Sequence, residues 1–275
     1  MLYGLNGSTT DQCTLEEDIL VAEHAGYDVV ELRTYKLEAF LKKHTLEDLT
    51  KLFERSSVKA DAINAIEFFN LKQGEEREQV LKDTEKWCQI AHAAGSSYVI
   101  AVPSPRPPDV SDEKIVKDSV QMLQEMSDIA EKYQVNIALE FIGIQDFSVK
   151  TLEAARKIMD EVNRENVGLV LDVFHFYTGG SFLDAIDDTP SEKIFVFHIN
   201  DAEHARIEEL EDKDRIFPGL GVIPLKEIGE RVQKTGQIRM VGLELFRPDY
   251  WEMEKYDLGE QSYRYVKEAL DKMFA

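Results

Sequence analysis

The chain predicts an α/β protein folded as a single (β/α)8 barrel, and three observations predict it. Eight short apolar runs of β type recur along the 275 residues, longer helical patterns separate them, and no Gly-rich phosphate loop follows the first run. Several runs are continuously apolar rather than alternating, as parallel strands buried on both faces are. With run starts about 25 to 45 residues apart, a right-handed crossover after each strand closes the sheet on itself. An open doubly wound sheet is the alternative, and the missing glycine-rich loop weighs against it. No low-complexity segment or long Pro/Gly-rich linker divides the chain, so one domain over residues 1–275 is expected.

The expected strands are 2–6, 28–33, 60–65, 98–102, 136–141, 168–172, 194–199 and 240–245. Between the first two, Thr14-Leu-Glu-Glu17 reads as a capping box, its hydroxyl and carboxylate satisfying free N–H groups at a helix start. Thr45-Leu-Glu-Asp48 is a looser version with an acid in the first turn. Gly26 and Gly95 follow helical stretches and precede strands, as C-terminal caps do. From Ile115 to Tyr133, Val116, Val120, Leu123, Met126, Ala130 and Tyr133 form one apolar stripe at spacings of three and four. Pro103 to Pro108 makes a proline-rich loop after the fourth strand, at the barrel end where active sites sit.

Composition narrows the function classes. Thirty-two Lys and Arg against 53 Asp and Glu leave a formal charge of −21. A field of that sign repels phosphate backbones and anionic lipid, so neither nucleic acid nor a membrane surface is an expected partner. No apolar run reaches the ~18 residues of a membrane helix, and the N-terminus has no basic-then-apolar leader pattern. Two cysteines, Cys13 and Cys88, form neither a CxxC nor a disulfide framework, which suits a reducing compartment. A soluble cytoplasmic protein is the expectation. Exposed barrel helices leave homo-oligomerisation open.

Chemistry collects at four strand ends. Glu140 closes Ala-Leu-Glu, Asp172 closes Leu-Val-Leu-Asp, His198 stands in Val-Phe-His-Ile, and Glu244 follows Val-Gly-Leu. Any one alone is an ordinary strand-end residue facing water. All four, in the last four strands of a barrel, converge on one face. Three carboxylates so placed repel one another, and a divalent cation removes that conflict. One imidazole with three carboxylates suits Zn, Mn, Co or Mg.

These residues and their surroundings resemble the xylose-isomerase-like TIM-barrel superfamily of sugar isomerases and epimerases, and within it the inosose isomerases of bacterial inositol catabolism. The segments that carry the likeness run nearly end to end. They are Gly26-Tyr-Asp-Val-Val-Glu-Leu-Arg33, Asn64-Ala-Ile-Glu-Phe-Phe-Asn70, Ser127-Asp-Ile-Ala130, Ile137-Ala-Leu-Glu-Phe141, Asn166-Val-Gly-Leu-Val-Leu-Asp172 with Phe174-His175-Phe176, Asp214-Arg-Ile-Phe-Pro-Gly219 with Gly221, and Glu244-Leu-Phe-Arg-Pro248. The Leu-Asp-x-x-His piece is shared across the superfamily; Ala-Ile-Glu-Phe-Phe-Asn and Glu-Leu-Phe-Arg-Pro are narrower. Asn6-Gly7-Ser8 departs from the pattern, which has an acidic residue after the Asn.

The resemblance implies one divalent metal held by Glu140, Asp172, His198 and Glu244, with His175 and Arg215 beside a cyclitol or ketose substrate. Isomerising an α-hydroxy ketone needs a proton taken from one carbon and supplied to its neighbour, so Glu140 and Glu244 are the expected acid–base pair. Asn64 is expected to bind a substrate hydroxyl, and Phe68, Phe69, Phe246 and Trp251 to wall the pocket. Glu31 and Arg33 read as a wall ion pair or as part of the pocket, and His24, His44 and His92 as residues of helical stretches. A ketose 3-epimerase with the same metal and proton transfer is the nearest rival. A dehydratase of cyclic keto acids needs more carboxylate anchors than Arg215 alone, an endonuclease needs a basic surface and more histidines, and a non-catalytic sugar-binding barrel has no use for the acid–base pair.

Overall fold

The computed structural model describes residues 1–144, 146–236 and 238–274. Eight parallel strands form the barrel: β1 (Leu2–Asn6), β2 (Val29–Arg33), β3 (Lys59–Ile66), β4 (Tyr98–Ala101), β5 (Asn136–Glu140), β6 (Val167–Asp172), β7 (Ile194–Ile199) and β8 (Met240–Leu243). Each pairs with its neighbours in chain order, and β1 pairs with both β2 and β8, so the sheet has no edge. The expected strands differ only at their ends, where Glu244 stands one residue past β8. Register sets the site. Asp172 is the direct partner of His198 across β6 and β7, and His198 that of Gly242 on β8.

Helices cover the outside: α1 (Leu15–Ala25), α2 (Thr34–Leu41), α3 (Leu46–Arg55), α4 (Gly74–Ala94), α5 (Asp112–Glu131), α6 (Leu152–Val162), α7 (Val173–Gly179), α8 (Asp184–Asp187), α9 (Leu225–Thr235), α10 (Pro248–Trp251) and α11 (Lys255–Met273). Thr14 and Thr45 both close full capping boxes, with Glu17 and Asp48. Gly26 and Gly95 cap α1 and α4 at φ 93° and 76°, in the left-handed region that favours glycine. The α5 stripe is rotated from the expected one. Ile115, Met122, Leu123, Met126 and Ala130 are buried, Val116 and Val120 only flank them, and Tyr133 lies beyond the helix.

Two apolar layers hold the barrel. The outer one lies between strands and helices. The inner one fills the barrel with the small or branched side chains of Val29, Ala62, Ala65, Ile100, Ala138, Val170 and Val196, and with the unbranched Met240. Cutting fully buried Ile100 to alanine there costs about 2–5 kcal/mol. The interior is therefore a packed core, and chemistry is confined to its rim.

After β7 the chain leaves the barrel and returns as a short antiparallel ladder of Asp201–Ala202 with Arg215–Ile216. Asp201 is buried and gathers this excursion, its carboxylate accepting from the backbone N–H of Gly219, Gly221 and Ile223 at 3.0, 2.9 and 2.9 Å. Gly221 has no room for a side chain, since a Cβ there would lie 2.1 Å from the Ala202 carbonyl oxygen. The ladder delivers Arg215 to the barrel mouth.

Candidate metal centre

Four consecutive strands bring the four predicted residues together. Glu140 and Asp172 end β5 and β6, His198 is the fifth residue of β7, and Glu244 follows β8. All are buried, and one donor atom from each lies within 4.8 Å of the others. His198 Nδ1 stands 3.3 Å from Glu244 Oε2, 3.4 Å from Glu140 Oε1 and 3.6 Å from Asp172 Oδ2. Neither His198 Nδ1 nor Glu140 Oε1 has a hydrogen-bond partner, although both are cut off from water. Buried polar atoms are nearly always paired, so two open atoms facing one point suit a bound ligand. One nitrogen and three carboxylates around a common point fit a divalent cation.

Surrounding groups occupy the remaining atoms. Asp172 Oδ1 caps α7, accepting from the N–H of Phe174 (2.7 Å) and His175 (3.0 Å), which leaves Oδ2 toward the centre. Arg215 Nη1 donates to Asp172 Oδ2 at 2.8 Å and Glu244 Oε2 at 2.9 Å. Its Nη2 donates to Asp212 Oδ1 at 2.7 Å and meets His175 Nε2 at 2.9 Å. A guanidinium only donates, so His175 Nε2 accepts, and a neutral His175 carries its proton on Nδ1. That Nδ1 is buried without a partner. The Arg215 plane lies over the rings of Phe174 and Phe246, at 4.7 and 5.2 Å from their centroids. His198 Nε2 lies 2.9 Å from Glu31 Oε2.

Electrostatics separate the carboxylates. Burial and the neighbouring Glu244 charge push Glu140 up to about 7. Burial presses on Glu244 too, but His198 and Arg215 outweigh it and hold it at about 2. Asp172 also falls below the usual carboxylate range, with Arg215 and His198 overcoming its burial. Burial and the Arg215 charge lower His175, which keeps it neutral. His198 is raised well above its ordinary value, because Glu31 and Glu244 outweigh its burial.

A cavity of about 210 Å³ opens above the centre, walled by Phe68, Phe147, Phe246 and Ile142, with Arg33 and Arg215 at its sides. That is below the roughly 300–1,000 Å³ of drug-sized sites and suits a small ligand.

Comparison with known proteins decides the family. Residues 19–272 match the xylose isomerase-like TIM barrel family. Inosose isomerase of Bacillus velezensis is 37% identical over 96% of this chain and 93% of its own length, and that of Bacillus subtilis is 37% identical over 98% and 97%. A crystal structure of the IolI protein with a bound zinc atom superimposes with a TM-score of 0.97, at 37% identity and full coverage of both chains. The chain belongs to the xylose isomerase-like TIM-barrel family. Within that family it groups with the inosose isomerases. It is an isomerase with a site for one divalent metal ion.

Against that family background, the positions of the weaker candidates differ from expectation in several ways. Arg215, expected beside the substrate, does line the cavity and is 1% exposed, although it comes from a loop excursion. Asn64 lines the cavity, but its amide is spent on Glu31 (2.8 Å) and Glu244 (3.1 Å). Glu31 and Arg33 do not pair with each other among the described contacts. Glu31 meets His198, and Arg33 Nη1 lies 3.6 Å from Glu244 Oε1. Phe69 is wholly buried in the outer core, and Trp251 donates to the Ser8 carbonyl at 2.9 Å. His44 lies in the turn after α2, stacked on Phe40. Sequence reasoning missed Asn6, whose amide reaches Glu31 and, at 3.0 Å, Glu244. It also missed Asp212, which grips Arg215. The only signal for Asn6 was its place at a strand end; Asp212 had none, being one acid among several in an exposed loop.

Proposed function

We propose that this protein interconverts 2-keto-myo-inositol and 1-keto-chiro-inositol through an enediolate, as a cytoplasmic enzyme of inositol catabolism. The observation that carries the reading is the pairing of Glu140 and Glu244 across a buried centre with Asp172 and His198, in a chain 37% identical to inosose isomerases over almost its whole length. These four residues would hold the ion. When bound, a divalent cation supplies Lewis-acid polarisation of the substrate carbonyl and its neighbouring hydroxyl.

The remaining chemistry belongs to side chains. Glu140 Oε1 is open to a proton, whereas Glu244 takes one by giving up a hydrogen bond from Asn6, Asn64 or Arg215. One of Glu140 and Glu244 takes the proton from the carbinol carbon, and the other returns a proton to the former carbonyl carbon. With the hydroxyl proton passing between the two oxygens, keto and hydroxyl groups exchange places without an external oxidant. Arg215 sets a fixed positive charge against the developing enediolate, and His175 offers Nδ1–H to a substrate oxygen. Phe68 and Phe246 face the C–H surface of the ring. The acidic surface, with a formal charge of −21, argues against nucleic acid as a partner.

Incubating zinc-, manganese-, cobalt- or magnesium-loaded protein with 2-keto-myo-inositol in deuterium oxide tests the reading by NMR. Deuterium entering at the carbon next to the carbonyl, with 1-keto-chiro-inositol formed and both abolished by chelator, is the expected result. Exchange at C3 of ketohexoses alone would replace it with a ketose 3-epimerase. No exchange with any of the four metals in either substrate would leave a sugar-binding barrel.

A further inference from the structure

The four donors of the centre come from β5 to β8, yet the contact that orients the histidine among them comes from β2, across the barrel. Glu31 is 3% exposed and absent from the cavity wall, and protein groups fill both of its oxygens. Oε2 meets His198 Nε2 at 2.9 Å. Oε1 accepts from the amides of Asn6 and Asn64, the latter at 2.8 Å. A second proton on each of these amides goes to Glu244 Oε1, at 3.0 Å from Asn6 and 3.1 Å from Asn64. The amide of Asn6 is held the right way round, because its Oδ1 accepts from the Ser8 N–H at 2.9 Å.

We propose that Glu31 is a positioning residue for the metal: it holds His198 by Nε2, so that Nδ1 is the nitrogen offered to the ion, and through Asn6 and Asn64 it fixes Glu244. The inference rests on the reading that Glu140, Asp172, His198 and Glu244 hold a divalent ion. A carboxylate in this place can only accept, so Nε2 carries the proton of a neutral ring and the lone pair falls on Nδ1. Nδ1 is the atom that faces Glu140, Asp172 and Glu244. The same hydrogen bond makes the imidazole a stronger donor, and loss of such partners typically weakens metal binding 10–100-fold. A merely structural Glu31 would support the barrel without selecting a ring nitrogen.

The test is zinc affinity of the full chain, measured by competition with a chromophoric chelator, together with nitrogen NMR of the zinc-loaded protein labelled at histidine. Glu31→Gln keeps the size and an acceptor while removing the charge, and should bind zinc about 10–100-fold more weakly. Glu31→Ala should bind more weakly still. In the parent protein, the His198 proton should reside on Nε2 and zinc on Nδ1. Binding by both variants within threefold of the parent, or zinc on Nε2, would overturn the proposal. His198→Gln and Glu140→Gln serve as controls. If they too bind zinc like the parent, the four-residue site itself is wrong, and if only they fail, the site stands and Glu31 has no part in it.

Discussion

The two ends of the barrel treat buried charge in opposite ways. At the N-terminal end Asp61, 3% exposed, is matched inside the chain: Arg239 donates to its two oxygens at 2.7 and 3.0 Å and lies 4.6 Å from the Tyr98 ring centroid. At the C-terminal end three carboxylates crowd one imidazole and one guanidinium, leaving Glu140 Oε1 and His198 Nδ1 without partners. Both Asp61 oxygens are taken, so this pair supports the fold and offers no free acceptor, although Arg239 Nε goes without a partner. A cluster whose open atoms face one point has a place for a ligand, and there the protein can do chemistry.

The contrast is open to direct attack, and the largest effect should fall at the incomplete end. Glu140→Gln or Glu244→Gln should lower kcat by about 10²–10⁴-fold in the exchange assay without unfolding the barrel. Turnover near that of the parent would remove either from the acid–base pair. Arg215→Met, which removes the fixed positive charge beside the centre, should cost about 10²–10³-fold in kcat, the scale of losing one preorganised electrostatic group. A rise in KM with kcat intact would instead make Arg215 a binding group.

Stability sharpens the comparison further. Zinc at a hundred times its Kd should add about 2.7 kcal/mol to unfolding, reversed by chelator and seen as a shift in Tm. At the other end, Asp61→Ala should destabilise by about 1–3 kcal/mol, less than a fully buried pair because the Arg239 side chain is 37% exposed. Its kcat per folded molecule should stay unchanged; a fall would mean that the two ends are coupled. The smallest effect concerns the thiols. Burial pushes Cys13 up to about 11 and Cys88 up to about 12. The folded chain thus keeps the Cys13 proton past pH 9, where an unfolded thiol releases it, so this contribution to stability is full below 9 and lost between 9 and 11. Native protein at pH 8 should resist iodoacetamide and react once unfolded in urea. Equal rates would show that the thiols are not shielded.

Relating sequence to structure, periodicity and punctuation located the strands because they are local properties. Continuous apolar runs marked both-face burial, Thr14 and Thr45 marked helix starts, and Gly26 and Gly95 marked helix ends. Eight such units have one compact closure, so Glu140, Asp172, His198 and Glu244 were readable as one cluster from strand-end position alone. The stripe on α5 was misplaced by part of a turn, since which face is buried depends on the neighbours it packs against as well as on spacing.

What only the tertiary structure decided lies across the barrel or in the loops. Glu31 and His198 are 167 residues apart, and nothing in the Val-Val-Glu-Leu-Arg run announces an acceptor for a histidine on a distant strand. Asn6 and Asn64 resemble ordinary polar strand ends until closure sets both amides between Glu31 and Glu244. Arg215 was placed beside the substrate by resemblance alone, and only the tertiary structure shows the Asp201 hub that turns its excursion inward. Local sequence encodes burial and period, which each segment expresses by itself. Hydrogen-bond partnership between distant strands depends on register and closure, which exist only once the barrel has formed.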